Sequence, residues 1–192
     1  MRRITMLVVC TLALALCAGV AGAAVTTPGP DTLKVDYFSN ANSAGAPDGN
    51  LRVTNPGTAG GSLCAAIYVF DSSQELSECC SCYVSPDGLR TFSVNTDLTG
   101  NPLTGVILNT GLIKIVSTPT RGGTCPLPTS LNPTAGIRAW ETHIQNSNFA
   151  ITETASQDAT LSAAEVTRLQ GECYAIQLDG SKSGVCTCGT GD

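Results

Sequence analysis

The chain is poor in the groups that most chemistries need. Its 192 residues include one His, one Trp and two Met, aromatics make up 5% and charged residues 13%. One His leaves no room for a His-rich metal site and narrows the choice of general bases. Ten Lys and Arg stand against 15 Asp and Glu, a formal charge of −5. No clustered basic surface can come from that balance, which excludes nucleic acid as a partner. There is no Gly-x-Ser-x-Gly, and Gly60-Gly61 and Gly122-Gly123 lack the Lys and the following helix of a phosphate loop.

What the chain has in quantity is Gly (20), Pro (10) and Cys (10). The first residues account for two of the cysteines. Arg2 and Arg3, an apolar run from Ile4 to Leu16 and the small residues Ala21-Gly22-Ala23 read as a signal peptide over residues 1–23. Leu16 before Cys17 is too large for a lipoprotein site, and no later stretch is apolar and long enough to span a membrane. Removing residues 1–23 leaves eight basic against 15 acidic residues, a charge of −7. Eight cysteines remain: Cys64, Cys79, Cys80, Cys82, Cys125, Cys173, Cys186 and Cys188. An even number in an exported chain reads as a disulfide framework. Five precede residue 126 and three follow it, so full pairing requires at least one bond between the two groups.

The patterning beyond residue 24 is that of strands and turns. Residues 24–32 form a Pro/Gly/Thr-rich leader, expected to be extended, and residues 33–192 a single domain. TLKVDYF alternates Leu33, Val35 and Tyr37 against Lys34 and Asp36, as a half-buried strand does. Leu51 and Val53 share one face of a short strand. LCAAIYVF, residues 63–70, is apolar on both faces and predicts a central strand covered on each side. Pro86-Asp87-Gly88 predicts a hairpin turn that sets Cys82 opposite Phe92 and Cys80 opposite Val94, with Cys79 pointing away. A second hairpin is expected around Asn109-Thr110-Gly111 and a third around Asn146-Ser147-Asn148. In the third, Trp140 and Ile144 take one face and Glu141, His143 and Gln145 the other. Ser162 with Glu165 forms a capping box for a helix near 161–171 ending at Gly171, after which CYAIQL returns as part of the tail. Many short strands with regular turns define an all-β antiparallel sandwich, immunoglobulin-like in style, with one helix in the C-terminal region and several disulfides.

Few residues suggest chemistry. Cys79-Cys80-Ser81-Cys82 contains a Cys-x-x-Cys, but a redox centre needs it at a helix N-terminus, and here it lies in a strand. Cys79 and Cys82 with Cys186 and Cys188 could supply four thiolates to a metal, yet Cys-x-Cys is a poor knuckle and an oxidising compartment consumes thiols. Bridging is preferred: Cys80 or Cys82 to Cys64 or Cys125, and Cys173 to Cys186 or Cys188, with an adjacent Cys79–Cys80 bond strained. Glu141 and His143 could share a proton, but read as an exposed pair on the polar face opposite Trp140. Asp71, Glu75 and Glu78 read as a solvated cluster, and Asp48-Gly49-Asn50 as a turn. No catalytic residue, cofactor or metal is assigned.

The segments LCAAIYVFDSSQELSECCSCYVSPDGLRTFSV, GIRAWETHI and DATLSAAEVTRLQGECYAIQ resemble a group of exported, Cys-rich bacterial proteins with a CCSC hairpin segment and no assigned activity. The resemblance covers most of the chain beyond residue 23. It implies export and one β-rich domain, and it carries over no site. The expectation is therefore a secreted, periplasmic or cell-surface structural protein that is not an enzyme. In one version it assembles with itself, residues 33–39 adding as a strand to a neighbour's sheet. The alternative is a glycan- or protein-binding module working through loops at one end of the sandwich, and a thiol–disulfide oxidoreductase stands behind both. Only nine aromatics are available for sugar stacking.

Overall fold

A computed structural model describes residues 30–145 and 147–191. The expected signal peptide at 1–23, residues 24–29 of the expected leader and Asn146 of the third turn lie outside them. The leader's last residues, Pro30–Thr32, form one 3-10 turn and are not extended.

Nine strands follow: β1 Leu33–Phe38, β2 Asn50–Thr54, β3 Leu63–Asp71, β4 Leu76–Val84, β5 Leu89–Ser93, β6 Gly111–Pro119, β7 Arg138–Gln145, β8 Ala150–Ala155 and β9 Gln157–Ala159. They build two antiparallel sheets, one in the order β4-β3-β6-β1-β9 and one in the order β5-β2-β7-β8. This is the β-sandwich expected. Its inter-sheet core joins Leu51, Val53, Ile67, Phe92, Val94, Ile113 and Ile115, all buried. β3 is the central strand that its two apolar faces require. It lies between β4 and β6, with the core on one side and a second cluster, including Tyr68, Leu169 and Ile176, on the other.

That second cluster lies beneath the helix α1, Ala163–Asp179. Ser162 Oγ accepts from the Glu165 N–H at 3.1 Å, as the capping box predicts. Leu161 and Val166, before the cap and one turn in, both join the cluster and fix the entry of the chain. The helix does not stop at Gly171. A mid-helix glycine costs about 1 kcal/mol relative to Ala, but Leu169, Cys173 and Ile176 continue the buried face across it. CYAIQL is therefore helix, and the left-handed C-cap is Gly180.

Two predicted hairpins are absent and one is present. Pro86-Asp87-Gly88 does turn: the Gly88 N–H donates to Ser85 O at 3.0 Å and Asp87 takes φ +59°. It is, however, a corner between sheets. The Asn55 N–H donates to Gly88 O and the Asp87 N–H to Asn55 O, so β5 is drawn onto β2 while β4 pairs with β3. Cys80 and Cys82 still meet Phe92 and Val94 in the core, and Cys79 still points away. Residues 105–108 form no strand, because β6 already pairs with β1 on one side and β3 on the other. The third hairpin is β7–β8.

β1 also departs from expectation. It pairs with β6 along its length and with β9 at Leu33, Lys34 and Val35, so its first half is an interior strand and only residues 36–38 lack a ladder partner on that side. Its polar residues Lys34 and Asp36 are buried, at 3% and 7% exposure, but so is Leu33 at 3%, and Val35 packs on the second cluster, while Tyr37 is 45% exposed. The strand alternates as expected, but both of its faces are covered and the polar one is not solvated.

Candidate functional site

All eight expected cysteines are paired, as Cys64–Cys125, Cys79–Cys173, Cys80–Cys186 and Cys82–Cys188. The preferred pairings were wrong. Cys64 lies on the outer face of β3 and Cys80 and Cys82 on the inner face of β4, so they cannot meet. Cys173 is carried by helix onto the outer face, where Cys79 waits. Three bonds cross from the first group of cysteines to the second, where parity required one. Cys79 and Cys82 face opposite sides of one strand and bond to different partners, which removes both the dithiol and the four-thiolate arrangement. Among the described residues no group of three His, Cys, Asp or Glu could hold a metal.

Each disulfide fastens a cover. Cys79–Cys173 holds α1 to the outer face of the five-stranded sheet. Cys64–Cys125 holds the loop that follows β6, helped by the Tyr68 hydroxyl, which donates to Pro128 O at 2.7 Å and is buried. Cys80–Cys186 and Cys82–Cys188 fasten the C-terminal tail along the flank between β4 and β5. The tail bridges to β4 at Cys79–Val185 and to β5 at Thr91–Thr190. It runs so close that a Cβ on Gly189 would lie 2.2 Å from Thr91 O, and its φ of +58° suits glycine.

The opposite flank holds the titratable groups. Glu141 and His143 are not the exposed pair expected: they are 0% and 2% exposed and point between the sheets, while Trp140 on the other face is 36% exposed. The reason lies in β1, whose inward Lys34 and Asp36 give this flank a polar interior. Lys34 pairs with Asp31 at 2.5 Å and with Asp158. Asp36 Oδ2 accepts from the Ser156 hydroxyl at 2.7 Å, and Oδ1 lies 3.4 Å from His143 Nε2. His143 Nε2 is also 2.8 Å from Thr154 Oγ1, and its ring stacks on Tyr37 at 4.2 Å. Both Glu141 oxygens and His143 Nδ1 are buried without a partner. Burial first, then the nearby Asp36 and Asp48, push the Glu141 carboxyl well above its usual range. Glu141 and His143 are thus almost wholly shielded from solvent, with the half-exposed Tyr37 ring lying over His143.

Of the acidic cluster, Asp71 caps its own turn by accepting from the Ser73 and Glu75 N–H groups. Glu78 is separate and completely buried, a correction to the solvated reading. Its Oε1 accepts from the Asn101 N–H at 2.9 Å, and burial pushes its carboxyl up to about 7. Asp48 is a structural staple: Oδ1 accepts from the Asn95 N–H at 3.0 Å and Oδ2 from Ser93 Oγ at 2.5 Å.

That staple supports one wall of a cleft, through Asn95. The cleft, of about 820 Å³, lies at a loop end of the sandwich, with Asn42, Asn95, Thr96, Asn101, Ile107 and Ser183 on its walls. Asn95 and Thr96 ride on a single turn of π-helix, Val94–Leu98, a geometry common at functional sites. The turn is held by Asp48 and by Asp97, whose Oδ2 accepts from the Ser93 N–H and Oδ1 from Thr187 Oγ1 in the tail. Gly100 closes it, since a Cβ there would lie 2.4 Å from Thr96 O. No ionisable side chain lines the cleft. Sequence reasoning missed these residues because they come from three separate segments, after β1, between β5 and β6 and in the tail, with no motif spacing; the only local signal was the density of Asn, Thr and Gly.

The chain matches no protein-family model, no curated protein and no solved structure. Among the described residues no helix is long and apolar enough to cross a membrane.

Proposed function

We propose that the protein is exported and serves as a structural or cell-surface module. The observation that carries this is the use of its cysteines: four bonds, each fastening a cover to the sandwich, with none of the eight left as a thiol. Such a framework suits an oxidising compartment and persists where no chaperone or reductant maintains the fold. The likeness to exported, Cys-rich bacterial proteins supports the same placement. Non-reducing peptide mass spectrometry and thiol titration of the protein recovered from outside the cytoplasm test it. Four bonds with these partners and no reactive thiol are expected; a reduced cytoplasmic protein would sink the reading.

Self-assembly, in this reading, uses β8 in place of residues 33–39. β8 is the edge of the four-stranded sheet and all six of its residues are exposed. An edge strand of Ile and Thr offers a backbone row to a second copy. Sedimentation of the wild type against Ile151→Lys should show association that the added charge abolishes. A monomer at all concentrations would leave the module without a self-assembling role.

A second reading, a binding module working through one end of the sandwich, is favoured by the cleft at the loop end. Loops held on a rigid scaffold are where binding residues concentrate.

A further inference from the structure

We infer that the cleft beside the π-turn is a binding site for an uncharged oligosaccharide. The inference rests on the binding-module reading and names its ligand class. The argument comes from how the three asparagines on its walls are already committed. Asn42, held at φ +56°, donates through Nδ2 to Thr99 Oγ1 and to Leu108 O, both at 3.0 Å, so its amide cannot turn and its oxygen is left as an acceptor. Asn101 is fixed the same way: Nδ2 donates to Lys182 O at 2.7 Å and Val185 O at 3.3 Å, leaving Oδ1. Asn95 is fixed in the opposite sense. Its Oδ1 accepts from the Asn42 N–H at 3.1 Å, which leaves the NH₂ as a donor.

The walls therefore present two oriented acceptors and one oriented donor, with the Thr96 and Ser183 hydroxyls beside them. A sugar hydroxyl both donates and accepts, and neighbouring hydroxyls on a ring match such a mixed set. Because the amides are locked by internal bonds, little rotamer entropy is lost on binding. Ile107, 70% exposed, and Pro102 add an apolar patch that suits the C–H face of a ring. The absence of ionisable groups from the walls leaves nothing to pair with an anionic sugar or a phosphate. No strand edge lines the cleft, so a peptide would find no backbone ladder to join. The volume, about 820 Å³, lies within the range of small-ligand sites. Rings usually stack on aromatics in sugar sites; here the apolar side is aliphatic, which favours modest affinity.

The test uses the full, disulfide-bonded protein in isothermal titration and side-chain amide NMR. The probes are mannotriose, cellotriose and chitotriose as neutral sugars, sialyllactose and a galacturonate trimer as acidic ones, and a pool of neutral heptapeptides. The expected result is saturable binding of at least one neutral trisaccharide with movement of the Asn95 side-chain amide signals. Thr96→Trp, which fills the cleft, and Ile107→Arg, at an exposed position that leaves the fold untouched, should each weaken it at least tenfold. Trp140→Ala, on the outer face of the four-stranded sheet and not part of the cleft wall, should not. No neutral sugar bound, or binding of acidic sugars or peptides alone, overturns the inference. Acidic-sugar or peptide binding that both cleft variants weaken overturns it while leaving the binding-module reading standing; neutral-sugar binding lost in Trp140→Ala and kept in both cleft variants overturns both. A protein that binds none of the probes on either face removes both.

Discussion

Along one flank of the sandwich, between β4 and β5, the interior is Cys80, Cys82, Val84, Phe92 and Val94, and the tail seals it through two disulfides. Along the other, between β9 and β8, the interior is Lys34, Asp36, Glu141 and His143, all buried. The main chain itself closes that flank. Ser156 alone carries it from β8 in one sheet to β9 in the other, donating its N–H to Ala139 O and its hydroxyl to Asp36. A flank closed by covalent bonds can rely on apolar packing and remain narrow. A flank closed by one continuous strand must bring along its polar groups, and those need partners that the sandwich supplies only in part.

The largest expected effect lies on the sealed flank. With Cys79–Cys173 in place, the first tail disulfide closes a loop of roughly 15 residues, worth about 3 kcal/mol on the chain-entropy model. The second then closes a loop of only about five residues, worth about 2 kcal/mol on the same model. Replacing Cys80, Cys82, Cys186 and Cys188 together by Ser should cost about 5 kcal/mol in urea unfolding. Removing either pair alone should cost about 2 kcal/mol, because the other still holds the tail. Single-pair losses that sum to the full loss would mean that the two bonds are not acting on one strap.

The polar flank should behave in the opposite way when a group is neutralised. A carboxyl whose folded pKa is raised contributes no penalty below the unfolded value, near 4.5. It destabilises increasingly as pH rises above it, because only the unfolded chain ionises freely. Glu141→Gln is therefore expected to stabilise the protein at pH 7 and to leave it unchanged at pH 4, as read from urea unfolding at the two pH values. A gain that is the same at both pH values would show that packing, and not ionisation, sets the cost.

Glu78, on β4, places one such carboxyl on the sealed flank and so sharpens the comparison. Its penalty should grow between pH 4.5 and about 7 and level off above that. Glu78→Gln keeps an oxygen for the Asn101 N–H and should gain about 2 kcal/mol at pH 7, again with no gain at pH 4. The smallest effect belongs to the exposed outer face. The Arg52–Glu153 pair at 2.5 Å is solvent-exposed on both sides, and Glu153→Gln should change stability by less than about 0.5 kcal/mol.

These contrasts show how unevenly the sequence could be read. The turn at Pro86-Asp87-Gly88, the inward Cys80 and Cys82 and the outward Cys79 were legible, because they follow from local backbone chemistry and the period of two. Which strand β5 would pair with was not, because a turn fixes a change of direction and not the sheet that receives the chain. The cap at Ser162 was legible and the passage through Gly171 was not, since the burial of Cys173 and Ile176 outweighs one glycine. His143 and Glu141 shared a face as expected. Which face was interior depended on a strand a hundred residues away.

From the sequence alone came the sandwich, the helix start, the framework of eight cysteines and the need for a long-range bond, all set by periodicity, turn chemistry and parity. The tertiary structure alone decided the partners of those cysteines, the burial of Lys34 and Asp36 on β1 and the assembly of Asn42, Asn95 and Asn101 on one cleft. Pairing and juxtaposition depend on distances between segments far apart in the chain, and those distances exist only once the two sheets have closed on each other.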